Sequence, residues 1–309
     1  MALLCVDHDE VRAAIPMTAA VTAVREALRD FGAGVFELPP RMHHADGSSL
    51  VMSAFSSRAG STVVKSLSLS SARTPVIVGV ATWTSATSPD VVAADAVPIT
   101  ALRTGAIVGV ATDVLAAPGA SRLVLYGAGG QAADQVRAVH AVRPLTEVTV
   151  VAPGPQRARR LAAALRAELT AVRVSVCRLG DEDLSRAEIV CCATPATSAL
   201  FTEADLPAQV HVNAVGSYRP EMGELPDELV DRAFVVAVDD APRAWPSRGR
   251  SSGPGAGGWT LHGSHRCTSC STRPAPVPDG RSSRASVWRC RTGRSWTCWR
   301  AASAQRSDR

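Results

Sequence analysis

Residues 121–152 constrain the fold more than any other stretch of this 309-residue chain. After Ser121 come the apolar run Leu123-Val-Leu-Tyr126, a Gly-x-Gly-x-x-Ala turn at Gly127, Gly129 and Ala132, a helical pattern to about Val142, and a second apolar run, Glu147-Val-Thr-Val-Val-Ala152. In such a strand–turn–helix–strand unit the first glycine permits the tight turn, the second lets the backbone approach a pyrophosphate, and a small third residue lets the helix lie close on the sheet. The helix N-terminus then offers unpaired N–H groups to phosphate. The glycine pattern alone is weak, and a glycine-rich turn of another α/β fold is the alternative to weigh against it. The context decides: a helix at about Gln156–Leu169 follows, with strands near Val172–Cys177, Glu188–Ala193, Val210–Val215 and Phe234–Val238. That order predicts an α/β protein with a doubly wound parallel sheet.

The end of the second strand commonly carries an acid that holds the ribose hydroxyl of NAD. Here it is Ala152-Pro153, with Arg157, Arg159 and Arg160 just beyond. A missing acid with arginines nearby leans slightly toward NADP, although the same arginines suit the solvated face of a helix and NAD stays open.

Lys65 is the only lysine among 33 basic residues, and it lies inside the apolar run Thr62-Val-Val-Lys-Ser-Leu-Ser-Leu69. Lysine, unlike arginine, can lose its proton when buried, so a lone lysine within a strand is a candidate for proton transfer. The plainer alternative is an amine that snorkels to water from a half-buried stem.

The net charge of +5 hides two unlike parts. Residues 1–242 hold 20 Lys and Arg against 26 Asp and Glu, a net of −6, whereas residues 243–309 hold 13 arginines against Asp279 and Asp308, a net of +11. An acidic body argues against a nucleic-acid enzyme. No membrane segment is expected, since no run of about 18 apolar residues occurs. The N-terminus has no basic segment leading into an apolar one, so a cytoplasmic location is expected.

Residues 243–309 contain no Ile, Phe, Met, Tyr, Lys, Glu or Asn, yet five of the six tryptophans. No amphipathic period runs through them, so disorder is predicted. Back-translated with GC-rich codons and read two bases on, Gly280–Trp299 gives Thr-Val-Phe-Lys-Ser-Val-Gly-Val-Ala-Val-Gln-Asp and an amphipathic continuation. This points to a frameshift near residues 243–250. A metal-binding tail on Cys267, Cys270, His262, His265, Cys290 and Cys298 is the rival reading, but its second cysteine pair is spaced too widely for a zinc ribbon, and no metal is expected.

Over residues 1–240 the chain resembles the ornithine cyclodeaminase/mu-crystallin family. The matching pieces are Leu38-Pro-Pro-Arg-Met42, Ser49-Leu-Val-Met-Ser-Ala54, Val64-Lys-Ser66, Ile99-Thr-Ala-Leu-Arg-Thr-Gly-Ala106, the Gly127 turn, Ala193-Thr-Pro195, and Val212-Asn-Ala-Val-Gly-Ser217 with Pro220 and Glu224-Leu225. The out-of-frame peptide is similar to the family's C-terminal signature. The resemblance implies an N-terminal α+β substrate and dimerisation domain over 1–116, a Rossmann-type NAD(P)-binding domain over 117–242, and a homodimer. It also implies that Arg41 and Lys65 grip a substrate carboxylate, with Lys65 catalytic beside the reacting carbon. Thr82, Arg103, Gly127, Gly129, Gly130, Gln131, Thr194, Asn213 and Ala214 would face the cofactor. For Arg103 a structural ion pair is the alternative.

One departure narrows the activity. Where the cyclodeaminases of this family carry an aspartate for the side-chain amine, Gly216-Ser-Tyr218 has a tyrosine. Without that carboxylate the amine loses a base and an ionic partner. The expected function is therefore NAD(P)-dependent hydride transfer at Cα of a small imino or amino acid, as in ketimine reductases or amino-acid dehydrogenases. The alternatives are ornithine cyclodeamination to proline and ammonia, and an inactive or ligand-carrying protein that has lost the C-terminal motif.

Overall fold

The computed structural model describes residues 1–44, 47–217 and 221–238 with their side chains, and the backbone of 283–289 and 300–304. The chain divides into two compact units, Met1–Arg103 and Thr104–Arg309.

The first unit opens with β1 (Leu3–Val6), α1 (His8–Ala14) and α2 (Met17–Gly32). Asp7 starts α1 because its carboxylate accepts from the N–H groups of Asp9 and Glu10 while Glu10 reaches back to the Asp7 N–H. This reciprocal cap satisfies donors that a helix end otherwise leaves open. The strands β2 (Phe36–Glu37), β3 (Met42–His44), β4 (Ser49–Ser56), β5 (Ser61–Leu69), β6 (Ile77–Ser85) and β7 (Ser88–Asp95) complete a seven-stranded sheet. Its order is β1-β7-β6-β5-β4-β2 with β3 on β4, antiparallel except where β1 joins β7. Because side chains alternate across a sheet, residues cross-paired with Lys65 share its face. Those residues are Met52 and Ala81. On that face Leu67, Ala81 and Ala96 form a buried cluster with Leu50, Met52, Leu69, Ile77 and Ile99.

A long helix, α3 (Ala96–Leu115), leaves the first unit and enters the second. The domain boundary expected after residue 116 thus falls earlier, between Arg103 and Thr104. The reason is packing: the later turns of α3 bury Thr104, Ala106, Val108 and Ala111 completely, and Thr112 bonds to the second unit's Asn213. Among the described residues α3 is the one helix long and apolar enough to cross a membrane by length and composition, and most of it is buried within the protein.

The second unit continues with β8 (Arg122–Tyr126), α4 (Ala132–Val142), β9 (Glu147–Ala152), α5 (Pro155–Glu168), β10 (Arg173–Arg178), β11 (Ile189–Cys192), β12 (Val210–Ala214), α6 (Asp227–Arg232) and β13 (Val235–Val238). The mainly apolar strands β8, β11 and β12 are buried almost throughout, His211 and Asn213 of β12 included, as parallel strands covered on both faces must be. The sheet order is β10-β9-β8-β11-β12-β14-β13-β15, where β14 (Ser283–Arg289) and β15 (Arg300–Ala304) come from the tail. The doubly wound parallel sheet is therefore present, with the change of direction at β8 and β11.

The expectation of a tail without regular structure needs correction at those two strands. The segment Ser283–Arg289 pairs in parallel with both β12 and β13, and Arg300–Ala304 runs antiparallel to it. Apolar period was the wrong criterion, because β12 and β13 both offer edges whose N–H and C=O groups demand partners. Both segments lie in stretches free of proline and glycine, 281–292 and 294–309, which can supply them. The tail cysteines and histidines of the rival metal reading, and Tyr218, lie outside the described residues.

Candidate functional site

The glycine turn follows β8 without a break. Gly127 has φ +105°, and a Cβ there would stand 2.5 Å from the Ala193 carbonyl oxygen and 3.2 Å from Cγ2 of Thr194. Only glycine tolerates both the angle and the approach. Above Gly129 and Gly130, in contrast, nothing lies within 4 Å of where a side chain would begin. That open backbone leads into α4, whose first residue, Ala132, is wholly buried. Gln131 holds the position before α4 without a side-chain cap bond, and its side-chain oxygen is buried with no hydrogen-bond partner. A pinched first glycine, open later glycines and a helix start without a side-chain cap fit a dinucleotide's phosphates, whereas the Gln131 oxygen, an acceptor, needs a donor such as a hydroxyl.

β9 ends at Ala152, and Pro153 rather than an acid follows it in the chain. Arg157, Arg159 and Arg160 are exposed on α5 while Ala158 between them is buried. Tyr126, at the end of β8, donates 2.9 Å to Glu182, whose other oxygen accepts from the Gly180 N–H at 2.6 Å. This ties the loop after β10 to the strand that bears the turn. Burial and the adjacent carboxylate push the phenol upward, so it stays a donor.

Beside the turn, the loops after β11 and β12 are held by a side chain that was quoted in the sequence without a role. Glu224 is completely buried; one oxygen accepts from the Thr194 N–H at 2.7 Å and its hydroxyl at 2.9 Å, the other from the Gly216 N–H at 2.8 Å. Ala214 closes β12 and is buried. Asn213 was expected to face the cofactor, but its side chain turns inward. Its Oδ1 lies 3.0 Å from His211 Nε2, and its Nδ2 donates to Thr112 Oγ1 at 3.1 Å and to Cys191 Sγ at 3.5 Å. Burial pushes His211 down to about 3, so the ring is neutral and Nε2 serves as the donor to the amide oxygen. The amide of Asn213 is thus spent inside the fold.

In the first unit, Lys65 lies on β5 with its Nζ 3.4 Å from Oγ1 of Thr100, which is itself buried at 9% exposure. Desolvation, helped by the charges of Arg103 and Arg41, pushes the amine from 10.5 down to about 7. Three cations are therefore grouped on one face: Arg41 just before β3, Lys65 on β5, and Arg103 one helical turn beyond Thr100 on α3. Such a set attracts an anion and keeps one member able to exchange a proton near neutral pH. Snorkelling is not what Lys65 does, since its amine turns toward buried Thr100. Thr82 is not part of the group: it pairs with Val64, on the opposite face, and its hydroxyl lies 3.4 Å from the Val64 carbonyl. Thr100 was missed because a threonine in an apolar helix carries no signal of its own. Its spacing of three from Arg103 was the available clue.

The sequence profile of the ornithine cyclodeaminase/mu-crystallin family matches residues 3–250. The chain belongs to this family. A Delta(1)-pyrroline-2-carboxylate reductase of Bacillus cereus is 36% identical over 151 residues, 49% of this chain and 46% of the relative. An L-lysine cyclodeaminase of Streptomyces rapamycinicus is 35% identical over 165 residues, 52% of this chain and 47% of that protein. The chain thus spans about half the length of these curated relatives in the matched region. Among solved structures, an archaeal alanine dehydrogenase dimer with bound NAD superposes with a TM-score of 0.70 at 26% identity, covering 78% of this chain and 75% of the other. The family member described here therefore has reductases and cyclodeaminases as relatives and an NAD-bound structural neighbour.

Proposed function

We propose that this protein is an NAD(P)-dependent oxidoreductase acting at Cα of a small imino or amino acid, in the manner of a ketimine reductase or an amino-acid dehydrogenase. A bound nicotinamide dinucleotide would supply or accept the hydride. Arg41 would take the substrate carboxylate through its planar fork, with Arg103 adding charge, and Lys65 would move a proton at the substrate nitrogen. The observation that carries this reading is the Lys65 amine, turned toward buried Thr100 and brought to about 7 by burial and two arginines. Reduction needs a protonated imine and oxidation a neutral amine. A group titrating near neutral pH serves both directions. The reductase relative supports this substrate class.

We place the dinucleotide on Gly127, Gly129, Gly130 and Gln131, with a slight preference for NADP because the strand end where NAD enzymes commonly carry an acid is Ala152-Pro153 here, with exposed Arg157 just beyond on α5. A cytoplasmic homodimer is part of the proposal. The face of the first sheet opposite Lys65 leaves Leu3, Met42 and Val80 at 63%, 54% and 42% exposure, and the alanine dehydrogenase neighbour is a dimer.

Cyclodeamination is the second reading, favoured by the lysine cyclodeaminase relative and opposed by Tyr218 where an aspartate is needed. The decisive assay supplies reduced dinucleotide with a cyclic ketimine acid in one reaction and oxidised dinucleotide with ornithine in another. Net consumption of reduced dinucleotide supports the reductase. Ammonia from ornithine without net reduction supports cyclodeamination, and dinucleotide binding with neither reaction leaves a carrier.

The frameshift remains part of this proposal. The family match stops at residue 250, where the arginine- and tryptophan-rich composition has begun. Resequencing the DNA for residues 230–309 tests it: one base gained or lost near codon 243–250 restores the Phe-Lys-Ser-Val-Gly segment, and an unbroken frame removes the idea.

A further inference from the structure

Past the ends of β11 and β12 the ordinary ladder stops. The last rung joins the Val215 N–H to the Cys192 carbonyl at 2.9 Å, and the two chains then separate into the loops 193–196 and 215–217. The next donors on these loops, the N–H groups of Thr194 and Gly216, are each met by one oxygen of the same buried carboxylate, Glu224. The backbone of the same segment adds two bonds, from the Leu200 N–H to the Glu224 carbonyl at 3.0 Å and from the Gly223 N–H to the Ala196 carbonyl at 2.9 Å. Glu224 thus acts as an extra rung made of side chain.

The rung bears on the glycine turn. A Cβ at Gly216 would lie 1.9 Å from the Thr194 carbonyl oxygen and 2.6 Å from Oε1 of Glu224, so the loops touch backbone to backbone. The Ala193–Thr194 segment is also the surface on which Gly127 rests, at the 2.5 Å approach already described. One carboxylate therefore fixes three pieces of main chain: the loop after β12, the loop after β11 and, through the second, the first glycine of the turn. In a doubly wound sheet the loops beyond the carboxyl ends of the strands line the ligand crevice.

We infer that Glu224 is a positioning residue for dinucleotide binding, which locks the β11 and β12 loops against the Gly127 turn. This rests on the dinucleotide reading above. The charge matters as well as the shape. Both loop N–H groups and the Thr194 hydroxyl are donors, and only a carboxylate offers acceptors on both sides. The isosteric amide of Glu224→Gln must point an N–H at one of these donors. Glu224→Asp keeps both acceptors but is one methylene too short to span both loops.

The test measures NADPH and NADH binding by nucleotide fluorescence alongside thermal unfolding, for the full chain and the variants E224Q and E224D. The expected result is a normal binding stoichiometry in the folded fraction, with affinity about tenfold to a hundredfold weaker in both variants, the range for losing hydrogen bonds to a charged group. A lowered unfolding temperature with unchanged affinity in the folded fraction would show a merely structural residue and overturn the inference. If E224Q does not fold, E224D decides, and parental affinity in E224D overturns the inference alone. No nucleotide binding by the unaltered chain would instead overturn the functional reading itself, and this inference with it.

Discussion

The two units hold their candidate ligands by opposite means. In the second, the candidate contacts are main chain: a pinched Gly127, an open Gly129 and Gly130, and loop amides fixed from beneath by Glu224. In the first they are side-chain charges, Arg41, Lys65 and Arg103, on a sheet face whose neighbours are apolar. Backbone sites depend on shape and tolerate little added volume, whereas charge sites depend on protonation and tolerate repacking. A chain built this way should lose its two abilities separately.

The sharpest break is Lys65→Met. Turnover should fall about 10²- to 10⁴-fold, the usual contribution of a positioned proton-transfer group, while dinucleotide affinity stays unchanged. The same change has a signed effect on stability. The unfolded lysine holds its proton to its ordinary 10.5 and the folded one releases it at about 7, so stability contributed at this position rises with pH between those values. K65M should therefore raise the unfolding temperature most at about pH 6 and progressively less toward about pH 10. An equal effect at both ends would show that the amine is not desolvated in the folded protein.

The converse variant is Gly216→Ala. A Cβ 1.9 Å from a carbonyl oxygen cannot be accommodated without moving the loop, and a misplacement of about 1 Å at a reacting site costs about 10²-fold. Dinucleotide affinity should collapse while the Lys65 titration, followed by NMR of the labelled amine, stays near 7. Movement of that titration would deny the independence of the two regions. Next in size is Arg41→Lys, which exchanges a bidentate fork for a point charge. Substrate KM should rise about tenfold with kcat little altered. The smallest effect belongs to Arg157→Glu on exposed α5: a few-fold shift in preference from NADPH toward NADH, in the range of an exposed ion pair at about 0.2–1 kcal/mol.

Legibility followed the same division. The turn at Gly127 and the run of buried strands were plain in the sequence, since apolar runs and glycine spacing are local signals. Lys65 was plain for its rarity and for the apolar company it keeps. What was not legible came from contacts between distant residues. Asn213 reads as a polar residue at a strand end, and only the structure shows its amide spent on His211 and Thr112. Glu224 is one of 28 acids, and its burial depends on two loops converging on it. Thr82 alternates out of the Lys65 face by a single residue, a register that a hairpin pairing fixes and a motif does not. The tail strands were missed because a strand completing a sheet between two edges answers to backbone hydrogen bonds before side-chain period.

The most direct measurement is the rate of NADPH oxidation with Delta(1)-pyrroline-2-carboxylate across pH, in the unaltered chain. The account predicts turnover that declines as pH rises through about 7, where the Lys65 ammonium is lost, and its disappearance in K65M. Turnover that keeps its rate well above that pH, or that survives K65M, would contradict the assignment of Lys65 as the proton-transfer group.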